Sequence, residues 1–174
     1  QYTFYSDGTI ELELEVNPHG DMPDMLPKLG WQFQIPRSFS DIQWYGRGPF
    51  ETYPDRKSGA KIGLYKSNPD MEYVPYIIPQ EYGNHSDTRW LRIQDKEKSG
   101  LRIECEDNFN FSVHKYSTEN LSRAIYTYQL KEADNLTLNI DFEVSGVGGT
   151  AIRQLQKYRV MPEQKKYSLK IQPF

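Results

Sequence analysis

The densest group of side chains that can do chemistry lies in Pro79-Gln-Glu-Tyr-Gly-Asn-His-Ser-Asp-Thr-Arg-Trp90, where two carboxylates, two amides, an imidazole and a guanidinium fall within twelve residues. Glu81 can serve as a general base, His85 as a proton donor and Arg89 as a clamp on sugar hydroxyls, with the Asn84 amide beside them. Glu81, His85 and Asp87 form a metal set on paper, although no second histidine lies near in sequence and the three differ in reach. The alternative is structural: a hairpin whose side chains bond backbone across the turn. Apolar runs flank the stretch, Tyr73–Ile78 before it and Trp90–Ile93 after it, so the pattern reads strand, loop, strand.

A second motif, Trp44-Tyr-Gly-Arg-Gly-Pro-Phe-Glu-Thr-Tyr-Pro-Asp-Arg56, combines two glycines suited to turns, two prolines that fix φ, and charges that can pair among Arg47, Glu51, Asp55 and Arg56. It reads either as a rigid loop satisfying its own charges or as one presenting aromatics and charges to a ligand. His114 stands at opposite parity to Phe111 and Val113, facing solvent or a groove, and His19 falls in the turn-like NPHGD. No Ser-His-Asp arrangement is evident. The glycines of GVGG at 146–149 precede neither a Lys-Ser/Thr pair nor a helix, so they do not make a phosphate loop.

The elements that must hold these residues are strands. Ile10, Leu12, Leu14 and Val16 alternate with Glu11, Glu13 and Glu15, the pattern of a half-buried antiparallel strand. The same alternation recurs at Trp31/Phe33/Ile35, Leu101/Ile103/Cys105, Phe109/Phe111/Val113, Leu136/Leu138/Ile140/Phe142 and Tyr167/Leu169/Ile171. Turn signals separate them at 6–8, 17–21, 67–70, 106–108 and 132–135. About ten to twelve short strands imply an all-β sandwich or barrel in a single domain, 1–174. Only Ser117–Ala124 reads as a helical turn, capped by Ser117 or Thr118.

Composition narrows the function classes. The chain has 174 residues, a net charge of −3, and charges mixed along its length, which provides no basic field for nucleic acid or anionic lipid. The longest apolar runs are too short to span a bilayer as a helix. The start, QYTFYSDGT, carries no signal-peptide pattern and no initiator Met, as expected of a processed chain or a fragment. The single cysteine, Cys105, excludes an internal disulfide and reads as a small buried strand residue. Aromatics make up 14%, with 13 Tyr, a composition that suits strands and also sugar-binding surfaces, because a ring face with a polar edge matches a pyranose.

Taken in order, WYGRGPFETYPDRKSGAKIGLY, YVPYIIPQEYGNHSDTRWL, FSVHKYSTENL and LNIDFEVSGVGG, preceded by YSDGTIELELEV and LPKLGWQFQIP, resemble the carboxy-terminal domain of bacterial β-galactosidases of glycoside hydrolase family two over nearly the whole chain. The resemblance implies an antiparallel β-supersandwich like that of galactose mutarotases, with the domain's first strands lying outside this chain. It implies that the acid and nucleophile glutamates stand on a (β/α)8 barrel in another domain, so no Glu of this chain, Glu81 included, is expected to be catalytic. It implies a retaining enzyme working through a covalent glycosyl intermediate, with this domain capping the barrel's mouth. Some members carry a tryptophan platform a few residues after GVGG, where this chain has Arg153, a guanidinium in place of an indole. A second departure is Ile125-Tyr126, where many relatives carry Lys-His.

On this basis Glu81, Asn84, His85, Arg89 and Arg153 are the candidate substrate-binding residues, with Glu81 and Arg89 expected to pair. No metal or cofactor is expected in this chain, and a divalent cation used by the parent enzyme would belong to its other domains. Expected partners are a β-galactoside or galactose, the other domains of the parent and a second copy of the chain, but neither nucleic acid nor membrane. The compartment stays open between bacterial cytoplasm and periplasm. Two alternatives stand beside this: a stand-alone carbohydrate-binding module, and an aldose epimerase using His85, His114 and Glu81.

Overall fold

A computed structural model describes residues 1–149 and 152–174; Thr150 and Ala151, the first residues after the GVGG motif, lie outside it. The described residues form eleven strands: β1 (Tyr2–Phe4), β2 (Ile10–Val16), β3 (Lys28–Pro36), β4 (Asp41–Gly48), β5 (Lys61–Ser67), β6 (His85–Thr88), β7 (Trp90–Gln94), β8 (Gly100–Cys105), β9 (Phe109–Tyr116), β10 (Glu132–Val144) and β11 (Lys165–Pro173). A short helix, α1 (Thr118–Arg123), follows β9, with the Ser117 side chain accepting from the Asn120 amide as its cap. The strands make two antiparallel sheets, ordered β1-β2-β11-β8-β7-β4-β5 and β3-β10-β9-β6.

Alternation explains why these segments become strands. Leu12, Ile42, Trp44, Leu91, Ile93, Ile103 and Leu169 from the larger sheet meet Ile35, Phe109, Phe111, Val113, Leu136, Leu138 and Ile140 from the smaller in one core. On the outer face of the larger sheet the glutamates of β2 stand opposite lysines, Glu11 across from Lys170 and Glu15 across from Lys166, which favours that register. Cys105 lies on β8 as expected but is half-buried.

Four local expectations are corrected. Tyr73–Ile78 is irregular rather than a strand, because Pro75 and Pro79 remove ladder donors; Tyr73, Val74 and Tyr76 pack instead on a small second core of Tyr82, Tyr116 and Leu121. The second half of the expected 79–90 loop is β6, buried at the edge of the smaller sheet. Glu132–Asn135 opens β10 rather than forming a turn, with a register shift against β9 between Glu132 and Thr137 that absorbs the polar residues. Gly46 and Gly48 lie within β4, with neither at positive φ. They allow close approach: a Cβ on Gly46 would stand 2.9 Å from the Thr88 Cα, and one on Gly48 2.8 Å from the Tyr65 ring.

The outward face of the smaller sheet carries Ser112, His114, Thr137, Asn139 and Asp141, all buried. An outer face of an antiparallel sheet usually meets water. Here α1 and the chain around Gln80–Gly83 lie over it, adding a third, polar layer.

Candidate functional site

The polar layer is closed by side-chain bonds between distant segments. Gln32 on β3 donates to Thr118 of α1 and to Asn139 of β10, both at 2.8 Å. Asn139 in turn donates to Ser112 at 3.0 Å, and Gln34 donates to Thr137 at 3.1 Å. His114 Nε2 lies 2.7 Å from the Tyr82 carbonyl oxygen. His114 is therefore neither solvated nor fully inaccessible in its surroundings: its side chain is buried, yet with Glu81, Thr118 and Leu121 it lines a cleft of about 350 Å³ between α1 and residues 78–81.

At the other end of this layer Lys28 bridges two carboxylates, Glu81 at 3.0 Å and Asp141 at 3.2 Å. Burial pulls the Lys28 ammonium down, but the two carboxylates outweigh it and hold the group above its usual range. Burial pushes Asp141 up to about 7 against the pull of Lys28, with Glu81 adding to the rise. The expected pair of Glu81 with Arg89 does not form. Arg89 instead donates to the Asp87 carbonyl at 2.5 Å and lies over the Tyr45 ring, 5.5 Å from its centroid.

Most of the rest of the 79–90 motif is bonded internally, although the Tyr82 hydroxyl, Asn84 Oδ1 and His85 Nδ1 are buried without a partner among the described residues. Asn84 and His85 are 0% exposed. Asn84 donates to the Thr52 carbonyl at 2.8 Å, and the Ser86 amide donates to the Thr52 hydroxyl at the same distance, which stitches the 44–56 motif to β6. His85 stands between Trp44 and Phe111 with its Nε2 2.6 Å from Glu72. Asp87 holds Arg47 at 2.5 Å and Lys57 at 2.8 Å, and these cations keep its carboxyl below the usual range although burial pushes the other way. Thus Glu81, His85 and Asp87 each face a different partner, and among the described residues no three His, Cys, Asp or Glu side chains come together as a metal cage.

Glu51 accepts from Arg56, from the Tyr76 hydroxyl and, at 2.9 Å, from the Gly83 amide. Gly83 is at φ +68, where a side chain would be strained, and that conformation turns its N–H toward Glu51. Asp55 accepts from the amides of Val147 at 3.0 Å and Gly148 at 2.7 Å, fixing the GVGG corner. Arg153 lies beyond this corner and is exposed. The residues missed by sequence reasoning are Lys28 and Asp141. Asp141 could have been found as the one charged residue in the outward row Thr137, Asn139, Asp141.

These features define a β-sandwich domain whose charged groups are largely bonded to one another, with shallow clefts along its polar third layer. Residues 1–172 match the family described as beta galactosidase small chain, and the chain belongs to that family. It is 36% identical to the beta-galactosidase of Priestia megaterium, over 85% of this chain and 14% of the relative. It is 36% identical to that of Vibrio cholerae over 86% and 14%, and 37% identical to that of Pseudoalteromonas haloplanktis over 85% and 14%. The chain therefore spans about one seventh of the length of these relatives.

Proposed function

We propose that this chain is an accessory domain of a family-two β-galactosidase, completing the wall of a sugar site whose acid and nucleophile glutamates stand on another domain, and stabilising that assembly. The observation that carries this is the match itself: it runs through nearly the whole chain yet covers only 14% of each relative. The bonding pattern is in keeping with it. The carboxylates of the two long motifs, Glu51, Asp55, Glu81 and Asp87, each accept from an internal partner. Such groups position backbone rather than transfer protons to a substrate. The corner carrying Val147, Ile152, Arg153 and Leu155 is exposed and mostly apolar, a surface suited to docking against neighbouring domains.

The test is hydrolysis of a chromogenic β-galactoside by three samples: the isolated chain, the parent enzyme lacking it, and the two combined. The expected result is no turnover from the chain alone and restored turnover on combination. Turnover by the chain alone, or full activity with unchanged KM from the enzyme lacking it, would overturn the proposal. An epimerase reading has one observation in its favour, the shared cleft of Glu81 and His114. Burial holds His114 below its usual pKa, so it would act as a neutral base. Polarimetry of α-galactose with the same isolated chain decides it, since an epimerase would speed mutarotation and an accessory domain would not.

A further inference from the structure

A row of donor side chains crosses five strands of the larger sheet. Lys66 of β5 stands opposite Gln43 of β4, Gln43 opposite Arg92 of β7, Arg92 opposite Arg102 of β8, and Arg102 opposite Gln172 of β11. Their neighbours Ile42, Trp44, Leu91, Ile93 and Ile103 lie in the core, so the alternation of a strand turns the row outward. We propose that Arg92 and Arg102, with Lys66 beside them, bind a phosphate group on this face.

The observation that carries this is the state of Arg92. Arg47, Arg56 and Arg102 each meet a carboxylate. Among the described residues Arg92 meets none, and its Nε is buried without a hydrogen-bond partner. Buried polar groups are nearly always bonded, so a guanidinium left this way calls for a partner. Arg92 also stands directly opposite a second arginine, a like-charge pairing that destabilises a sheet unless an anion lies between the two. Acids on the same face are engaged elsewhere. Asp41 accepts from Gln94 at 2.6 Å, and Glu104 Oε1 accepts from both Nε and Nη2 of Arg102, at 2.9 and 2.5 Å. Both guanidinium groups are fixed in advance: Arg92 lies 4.0 Å from the centroid of the Phe174 ring, and Arg102 5.1 Å from that of Trp90. A planar fork already held in place loses little freedom when it grips two oxygens. Opposed residues on neighbouring strands stand about 5 Å apart at Cβ, so one tetrahedral anion can meet both arginines. Lys66 is exposed and two strands from Arg92, roughly 10 Å, a gap its flexible stem can close. Glu104 offsets one of the three cations, which matches the row to a doubly charged anion and so to phosphate over a carboxylate.

The test is a titration of the 15N-labelled 174-residue chain with inorganic phosphate slightly above neutral pH, at fixed ionic strength, with sodium acetate and sodium chloride in parallel. Saturable shifts are expected with phosphate at the Arg92 and Arg102 amides and side-chain Nε–H groups, with weaker binding of acetate and no saturation with chloride. Arg92→Gln removes charge-assisted hydrogen bonds, so the dissociation constant should rise about tenfold or more, while Arg92→Lys keeps the charge without the fork and should fall between. Arg123→Gln, on α1 across the sandwich, serves as the control and should bind as the unaltered chain does. A further arm with methyl phosphate tells the source: tighter binding of the ester assigns the site to a phosphomonoester, tighter binding of phosphate to the free ion. No saturation with phosphate, shifts confined to other surfaces, acetate binding as tightly as phosphate, or an Arg92→Gln chain that binds unchanged would each overturn the proposal. The site lies outside the motifs on which the accessory-domain reading is built, so its failure leaves that reading untouched.

Discussion

Replacing Asp141 by Asn should change how stability depends on pH, and in a direction opposite to that of most carboxylates. Asp141 is 2% exposed, and burial raises its carboxyl from 3.8 to about 7 despite Lys28 at 3.2 Å. The folded chain thus holds a proton on Asp141 that the unfolded chain releases near pH 4. With more protons bound in the folded state, stability falls as pH rises. The contribution is fully present below about pH 4 and is lost as pH climbs through about 7. The rise from 3.8 to about 7 corresponds to about 4 kcal/mol as a ceiling. Asn keeps the shape and cannot ionise, so it removes this dependence.

The measurement is urea unfolding of both chains at several pH values from 4 to 8, followed by fluorescence of the buried Trp44. The quantity to plot is the difference in unfolding free energy, because other carboxylates cancel in it. Asp70 and Asp87, for example, have lowered values and give the ordinary trend of stability lost on acidification. Relative to the unaltered chain, Asp141→Asn should gain stability steadily between pH 4 and pH 8, by up to about 4 kcal/mol. A flat difference would mean that water reaches Asp141 and the polar layer is not sealed. A difference of opposite slope would mean that Lys28 outweighs burial and that Asp141 is charged throughout.

Two further outcomes follow from the packing. Gly46→Ala places a methyl against the Thr88 backbone, and should cost about 1–3 kcal/mol by thermal or urea unfolding; no loss would show that β4 and β6 can separate freely. The larger sheet ends in β1 and β5, with Tyr2, Phe4 and Leu64 well exposed on them, so the isolated chain should associate with a second copy as concentration rises. Sedimentation velocity over a wide concentration range checks this, and a clean monomer throughout would refute it.

How legible this molecule is depends on whether a residue's neighbours are alike on one face. β2, β3, β8, β9, β10 and β11 each present one face to the core, so alternation exposes them and with them the all-β class. β6 is hidden from such reasoning because His85, Ser86 and Thr88 are polar and buried together, one face against Trp44 and Phe111 and the other bonded to Thr52. β5 is obscured for the opposite reason, since Ile62 and Leu64 are apolar and point outward. Tyr73–Ile78 looks like a strand by composition, and its prolines are what prevent one.

The candidate site was legible in its types but not in its pairings. Glu81 stands out in its loop, but the lysine that binds it is 53 positions away, and Asp141 lies 113 positions from that same lysine. Short-range spacing favoured Arg89 as the partner; the fold instead turns Arg89 toward Tyr45 and brings β3 beneath Glu81. This is a general consequence of a third layer laid over a polar sheet face. Every charge in the covering segment must find a partner among residues that come from other strands, because a buried unpaired charge costs far more than a weak local pair contributes. The long polar motifs are therefore composed for closure of that layer, and few of its buried polar atoms are left without a protein partner, among them the Tyr82 hydroxyl, Asn84 Oδ1, His85 Nδ1 and His114 Nδ1.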